Sequence, residues 1–491
     1  MTTTAGDNRL ALHWIGGDWV DSWKYGTSIN PATGEVIGRY ADGGSDEAAQ
    51  AVAAAKKAFH ESDWQYDRYL RARVLNAMAV KFEEYGEELV RLLGTENGKV
   101  LAHGRFEAAI VPRTLRFNAA LALTLSGRAT EVDRDSLSIV IRQPIGVAGI
   151  VAPWNSPIAL MIRSLAPALA AGTTAAVMLP RQTAQINALL AKVISETPEL
   201  PTGVVNIFTS GREGVTYLVE SPDVPVISFT GSTRTGRAIS AAGATRLKTF
   251  GLELGGKDPH LVFPDADLDE AVEKIALGLV VFAGQFCMTG SRLLVHEAVA
   301  DEVKSRLAER LTRVKVGPAA DSSSEMGPLI DKSNVERVDK MVESAIAAGA
   351  QSVVRGGPIT DGALADGAFY RPTLLEVTDP NLPIVQEEVF GPVLTMQRFD
   401  SERQAIELAN NTEYGLGASV WSRDIDLPLR VARQLASGTV WINDWATLHD
   451  EFEEGGFKQS GKGRMRGVAT VDEYLEYKHI AFKPGSGAQP R

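Results

Sequence analysis

From Ile145 to Met178 the chain reads IGVAGIVAPWNSPIALMIRSLAPALAAGTTAAVM. Val147 to Val151 is a short apolar run of the kind a buried strand shows. Ile158 to Ala171 carries a helical pattern, and Thr174 to Met178 is a second apolar run. The order strand, helix, strand is the grammar of a parallel sheet. Gln143 to Ile162 is uncharged and about long enough to span a bilayer, but Pro153, Asn155 and Pro157 interrupt it midway. It reads as buried strand, loop and helix.

The alternation continues with a helix over Ala184 to Glu196, a strand at Val204 to Phe208, a helix near Arg212 to Glu220 and a strand at Val224 to Phe229. A mostly parallel, doubly wound sheet follows from that order. After Gly255 and Gly256 the pattern restarts. Helices are expected at Leu268 to Ala283, Ala298 to Val314 and Val335 to Ala348, with short strands at Leu293 to His296 and Val440 to Ile442. A second α/β domain fits this half. Between Thr130 and Gln143, Leu137, Ile139 and Ile141 alternate with Ser136, Ser138 and Val140, which predicts an edge hairpin or an oligomer arm. Met1 to Asn8 and Gly485 to Arg491 read as frayed tails, and there is no internal repeat.

The composition is that of a globular protein: 491 residues, 44% hydrophobic and 23% charged. That length allows two or three domains and excludes disordered, collagenous and disulfide-stapled classes. A formal charge of −11 opposes nucleic acid as a partner. The single cysteine, Cys287, and the seven histidines form neither CxxC nor HExxH spacing, so no metal site is expected. Met1 to Asn8 lacks a basic region followed by an apolar core, so a cytoplasmic location and no membrane association are expected.

Three residues stand where chemistry is expected. Cys287 lies in Gly284-Gln285-Phe286-Cys287-Met288-Thr289-Gly290, where small residues allow a ligand to approach, although a lone cysteine is more often an inert buried thiol. Asn155, in Pro153-Trp154-Asn155-Ser156-Pro157, follows a strand, the place where open α/β sheets present ligand-binding loops, and its amide can donate to an oxyanion. Glu253, in Glu253-Leu254-Gly255-Gly256-Lys257, falls at the expected domain cleft, where a carboxylate can act as a general base. Phe229-Thr230-Gly231-Ser232-Thr233-Arg234-Thr235-Gly236 links a strand to a helix and suits a phosphate. It is not a P-loop, because Arg237 and Ala238 stand where Lys and Ser or Thr belong.

Taken together with Glu387-Glu388-Val389-Phe390-Gly391-Pro392, Asn411-Thr412-Glu413-Tyr414-Gly415-Leu416 and Gly455-Gly456-Phe457-Lys458-Gln459-Ser460-Gly461, these motifs resemble the aldehyde dehydrogenase superfamily from about Trp14 to Phe482. The 34 residues from Glu253 to Cys287 agree with the resemblance. It implies an aldehyde dehydrogenase-like α/β fold with a Rossmann-type cofactor domain (1–124 and 144–254), an α/β catalytic domain (255–448) and a small β oligomerisation arm (125–143 and 466–491). Residues 449–465 would return to the interface of the first two, and the assembly would be a homodimer or homotetramer.

The resemblance also implies roles. Cys287 attacks the aldehyde as thiolate, the Asn155 side chain and the Cys287 N–H hold the oxyanion, and Glu253 activates the water that hydrolyses the thioester. Relatives that pass the acyl group to coenzyme A typically lack this glutamate, so a hydrolytic NAD(P)-dependent enzyme is expected. Glu388 would hold the nicotinamide ribose, Phe390 the nicotinamide and Ser232 the pyrophosphate, with Val151, Pro153, Trp154, Met178, Arg181, Gly211, Phe229, Gly231 and Leu254 completing the cofactor site.

The sequence departs from the family pattern in three places. The Lys-Pro-Ala/Ser-Glu run that addresses the adenosine ribose reads Met178-Leu179-Pro180-Arg181, and a guanidinium in place of the carboxylate makes NADP plausible alongside NAD. A lysine and a glutamate that form a proton path in some relatives are Ser164 and Met465. In the substrate tunnel, expected to be lined by Arg163, Ser156, Phe286, Met288 and Glu454, Arg163 stands where many relatives carry Trp, and Ser156 and Glu454 replace aromatics. A polar tunnel is expected, with aromatic or polar-substituted aldehydes favoured. Succinic semialdehyde is disfavoured because a second arginine is absent at Val281. Asp450, Glu451, Glu453 and Glu454 would either favour a cationic aminoaldehyde or pair with Arg163 to leave a neutral pocket. The competing functions are a cofactor-independent thiol esterase and an inactive binding protein with the same fold.

Overall fold

The computed structural model describes residues 10–133 and 136–482. The expected tails, Met1 to Asn8 and Gly485 to Arg491, lie outside them. The strand read at Val147–Val151 is the centre of an eight-stranded sheet. On one side it pairs in parallel with Thr174–Pro180, which pairs with Val205–Ser210; on the other it pairs with Val226–Thr230, which pairs with Thr249–Glu253. The chain therefore reverses its direction of travel across the sheet between Val147–Val151 and Val226–Thr230. Open α/β sheets bind ligands in the crevice at the carboxyl ends of such a pair. Antiparallel edges close the sheet: Gly461–Lys462 beside Thr249–Glu253, and His13–Ile15 with Asp18–Val20 at the far end.

The first crossover is the helix Pro157–Ala171. Pro157 sits in its first turn, where its missing N–H costs nothing, and Gly172 ends it at φ 94°, the left-handed conformation glycine tolerates. Thirteen of its 15 residues are buried, Arg163 among them, so the helix is enclosed on all sides. The helices Arg68–Glu84 and Leu101–Thr124 provide that enclosure.

A seven-stranded sheet forms the second half, in the order Gln351–Val354, Thr373–Glu376, Val393–Phe399, Arg292–His296, Pro259–Val262, Gly417–Trp421 and Thr439–Ile442. All its pairings are parallel except that of the edge strand Gln351–Val354. The helix expected to reach Ala283 stops at Val280. Phe282 and Ala283 then take φ of 51° and 55° and Gly284 takes 69°, so three left-handed residues swing the chain into the cysteine loop. Such conformations in non-glycine residues cost on the order of 1–3 kcal/mol each and persist only where surrounding structure fixes them.

The hairpin expected at Thr130 to Gln143 is Arg128–Asp133 paired with Ser136–Pro144. From the C-terminal segment that the resemblance assigns to the same arm, Leu475–Phe482 joins it antiparallel, with Glu476 opposite Gln143, making a separate three-stranded sheet.

Candidate active site

Glu253 ends its strand beside Thr230, its register partner, and Asn155 lies four residues beyond the end of the neighbouring strand at Val151. The two glycines after Glu253 have negative or extended φ, so their purpose is close approach rather than turning. A Cβ at Gly256 would stand 2.5 Å from the Cys287 carbonyl oxygen, and one at Gly255 would stand 2.4 Å from Glu388 Oε2. Gly284 is equally constrained, its Cβ direction blocked at 2.4 Å by the Gly391 backbone. Glycine at 255, 256 and 284 thus lets the segments carrying Glu253, Cys287, Glu388 and Phe390 meet. Gly256, Phe286, Cys287, Glu388 and Phe390 line one recess.

Asn155 is 5% exposed, and its Nδ2 donates to the Gln285 carbonyl at 3.0 Å, fastening it to the cysteine loop. An amide nitrogen carries a second N–H, which that bond leaves available. Gln285 is a structural residue the motif reading passed over. It donates to the Phe282 carbonyl at 3.0 Å and accepts from the Ile330 N–H at 2.9 Å, holding the loop from both sides. Cys287 is partly exposed. Desolvation pushes its thiol well above its ordinary pKa; the Glu253 carboxylate adds to the rise and the Arg163 guanidinium opposes it.

Glu253 is 1% exposed. Its Oε2 accepts from Arg163 Nη2 at 2.9 Å, while Oε1 has no nitrogen or oxygen donor among the described residues. Arg163 Nη2 also donates to Thr230 Oγ1 at 3.0 Å, and Nη1 to Glu454 Oε1 at 2.6 Å. Beyond Glu454 the pairing continues: Arg466 Nε donates to Glu454 Oε2 at 2.8 Å and Arg466 Nη1 to Asp450 Oδ1 at 2.6 Å. Burial alone would raise the Glu454 carboxyl, but Arg163 and Arg466 outweigh it and hold it below its ordinary pKa.

These contacts take up polar groups of the residues expected to line the tunnel. Arg163 and Glu454 are not free ligands, because both terminal nitrogens of the one and both oxygens of the other are engaged inside the protein. Ser156 is likewise withdrawn. Its Oγ accepts from Lys99 Nζ at 3.1 Å, and Lys99 in turn pairs with buried Glu107 and lies 3.5 Å from the Phe282 ring centroid. Of the acidic run, Asp450 and Glu454 are buried in the ion network and Glu451 and Glu453 are exposed. Phe286 stays at the recess, its ring edge-on to Phe282 and Trp445 at 5.7 and 5.9 Å. Met288 is 1% exposed and packs with Leu416 and Trp441, and its carbonyl accepts from Trp445 Nε1 at 2.7 Å. Ser164 accepts from Ser228 at 2.9 Å, and buried Met465 pairs its backbone with Glu454.

The candidate cofactor residues gather at the crevice. Val151 is in register with Met178 on one side and with Phe229 on the other, and Phe229 with Leu252. The Gly231 N–H donates to the Glu253 carbonyl and the Leu254 N–H to the Ser460 carbonyl. Ser232 caps the helix Thr233–Ala244. The Trp154 ring meets Phe390 edge-on at 5.5 Å, and Asn97 holds the Trp154 carbonyl at 2.7 Å, fixing the loop that Pro153 begins. Burial pushes the Glu388 carboxyl up to about 7 against the Gly256 N–H it accepts, and Glu253 adds to the rise. Arg181 follows its strand directly. Its Nε donates to Asp42 at 2.6 Å, and a Cβ at Gly211 would lie 2.6 Å from its Nη1. Lys24 shares Asp42 at 3.0 Å, so two cations meet one carboxylate there.

A profile of the aldehyde dehydrogenase family matches residues 19–480. Betaine aldehyde dehydrogenase of Bacillus subtilis is 39% identical over 95% of this chain and 96% of its own. Hydroxyisobutyraldehyde dehydrogenase of Mycolicibacterium austroafricanum is 37% identical over 97% and 95%. The crystal structure of Staphylococcus aureus betaine aldehyde dehydrogenase in complex with NAD+ superposes with a TM-score of 0.95 at 34% identity, covering 97% of this chain and 95% of that one.

Proposed function

The chain belongs to the aldehyde dehydrogenase family, and on that premise we propose which residues carry its reaction and which aldehydes it prefers. The enzyme oxidises an aldehyde to the carboxylic acid with NAD(P)+, through a cysteine thiohemiacetal and a thioester that water hydrolyses. Cys287 Sγ, as thiolate, forms a bond to the aldehyde carbon while the C=O electron pair moves to oxygen. The oxyanion rests against the free Asn155 N–H and the Cys287 N–H. As the C=O bond re-forms, a hydride leaves the former aldehyde carbon and the thioester remains; a nicotinamide held at the crevice would supply the acceptor for that hydride. Glu253, through Oε1, takes a proton from water as the water oxygen bonds to the thioester carbon. The C–S bond then breaks, its electron pair returns to Sγ, and the acid leaves.

The residues at the crevice fit a dinucleotide. Glu388 accepts one described N–H, from Gly256, and has acceptor capacity left for ribose hydroxyls. The first turn of the helix Thr233–Ala244 offers N–H groups and a dipole to a pyrophosphate. Arg181, held by Asp42 and lying against Gly211 at the ends of two adjacent strands, would meet the adenosine ribose. Its terminal nitrogens and Lys24 favour a 2′-phosphate, so NADP is used as well as NAD.

The substrate class is neutral, aromatic aldehydes included. The observation that carries this is the closed Arg163–Glu454 pair, which leaves neither member free to hold a carboxylate or an ammonium, while the Phe286 ring stays at the recess. Self-association would use the sheet containing Leu475–Phe482, which exposes Tyr477, Ile480 and Phe482. The test is reduced-cofactor absorbance for wild type and Cys287→Ala, with NAD and NADP each offered benzaldehyde, betaine aldehyde and succinic semialdehyde. Cys287-dependent turnover that is fastest with benzaldehyde supports the reading; a preference for either charged aldehyde overturns the substrate class.

A further inference from the structure

We infer that Arg163 is the positioning residue for the water-activating carboxylate: it fixes one oxygen of Glu253 so that the other faces the thioester. This rests on the reading of Glu253 as the base. Arg163 is 3% exposed and stands on a helix with almost no exposed residue, so the charge cannot be a solvated surface arginine. Its planar guanidinium bridges the ends of two adjacent strands, taking Thr230 Oγ1 at 3.0 Å and Glu253 Oε2 at 2.9 Å with the same nitrogen. Nη1, on the other arm of the fork, is anchored by Glu454 at 2.6 Å, so the group cannot rotate without losing an ion pair.

The geometry divides the two carboxylate oxygens. Oε2 is held by Arg163, and Oε1, without a nitrogen or oxygen donor among the described residues, is the one left to take a proton. A glutamate has three side-chain torsions, and an untethered one would sample orientations away from Cys287. Arg163 removes that freedom. In the hydrolytic step the water proton goes to Oε1, the water oxygen bonds to the acyl carbon, and the C–S electron pair returns to Cys287. Arg163 exchanges no proton and touches no reacting atom. Its main effect falls on hydrolysis of the thioester; the smaller help its charge gives the Cys287 thiolate changes how fast reduced cofactor first forms, not how much.

Burst kinetics separate the two steps. The proteins compared are wild type, Arg163→Lys, Arg163→Met, the charge-conserving double variant Arg163→Met with Glu454→Gln, and Glu253→Gln, each with NAD or NADP and benzaldehyde. The double variant removes a cation and its outer anion together, so it guards against loss of folding. Expected for Arg163→Met and for the double variant is a burst of reduced cofactor approaching one per subunit, followed by a steady rate 10- to 100-fold below wild type. Arg163→Lys should recover most of that rate, and Glu253→Gln should show the burst with slower turnover still. If Glu253→Gln turns over like wild type, the base reading falls and the inference with it. If Glu253→Gln is slowed but the double variant keeps the wild-type steady rate, the inference alone falls. Loss of the burst together with turnover in a folded Arg163 double variant also overturns it, since positioning of the hydrolytic base leaves the burst intact.

Discussion

Gly256 lies directly beneath the Cys287 carbonyl, where a Cβ would stand 2.5 Å from that oxygen. The same added carbon would come within 3.0 Å of Asp258 Oδ1, so the segment has no direction in which to yield. Gly256→Ala should therefore displace the cysteine loop, at a cost of about 1–3 kcal/mol for overpacking. The expected result is a folded protein by circular dichroism whose kcat falls far more than its thermal midpoint. A kcat within a factor of two of wild type would show that the loop has slack.

Asn155 grips the cysteine loop with one N–H and is left with another. Asn155→Ala should lower kcat by about 10²- to 10³-fold, the usual effect of losing one oxyanion donor, with a much smaller change in KM. Steady-state kinetics with benzaldehyde measure both. A change confined to KM would assign the residue to binding.

The Cys287 thiol is raised by burial and, secondarily, by the neighbouring Glu253 anion. Removing that anion must make the thiolate easier to form. Glu253→Gln should thus shift the inflection of iodoacetamide alkylation against pH to a lower value, even though the variant turns over more slowly. An unchanged or higher inflection would place Glu253 too far from the sulfur to act on it.

Arg181 shares the Asp42 carboxylate with Lys24, which leaves one cation in excess. Arg181→Glu should lower kcat/KM with NADP by about 10-fold or more, roughly the 1.4 kcal/mol of a single charge-assisted contact. The value with NAD should hold or rise. Equal losses with both cofactors would make Arg181 a structural partner of Asp42 and nothing more.

Much of the doubly wound sheet was legible because its strands are buried on both faces. Continuous apolar runs such as Val147–Val151 and Thr174–Pro180 admit few other readings. From periodicity the three-stranded sheet was half legible, although the resemblance places both of its segments in one arm. Ser136–Pro144 shows alternation, but its partner Leu475–Phe482 lies at the other end of the chain, and periodicity carries no record of which strand pairs with which. At the site, the motifs pointed to Cys287, Asn155 and Glu253, and the structure brings their segments together. Gly255 and Gly256 serve a close approach, a need the sequence cannot tell from a tight turn because both call for the same residue.

Arg163 is the instructive case. Its neighbours, Leu160-Met161-Ile162 before it and Leu165-Ala166 after the small Ser164, already describe a helix with no wet face. An arginine there must find buried anions; pairing with the acidic run that includes Glu454 is one of the two readings the sequence supports, whereas Glu253 stands apart in it as a candidate base. What the sequence could not convey is that they flank it on opposite sides. Of the outer members, Asp450 shows only as part of the acidic run, and Arg466 carries no motif at all.

The pairing of Ser136–Pro144 with Leu475–Phe482 also bears on how the protein is made. Gln143 faces Glu476, a residue that leaves the ribosome about 330 positions later, which at ordinary elongation rates is tens of seconds. Tyr474, just before that last strand, receives the Ile145 N–H and donates its hydroxyl to the Ser164 carbonyl. The nascent polypeptide thus holds an unsatisfied edge beside its eight-stranded sheet until Leu475–Phe482 has been made. Premature termination near Tyr474 would release a chain whose arm offers open backbone donors and acceptors to any passing strand.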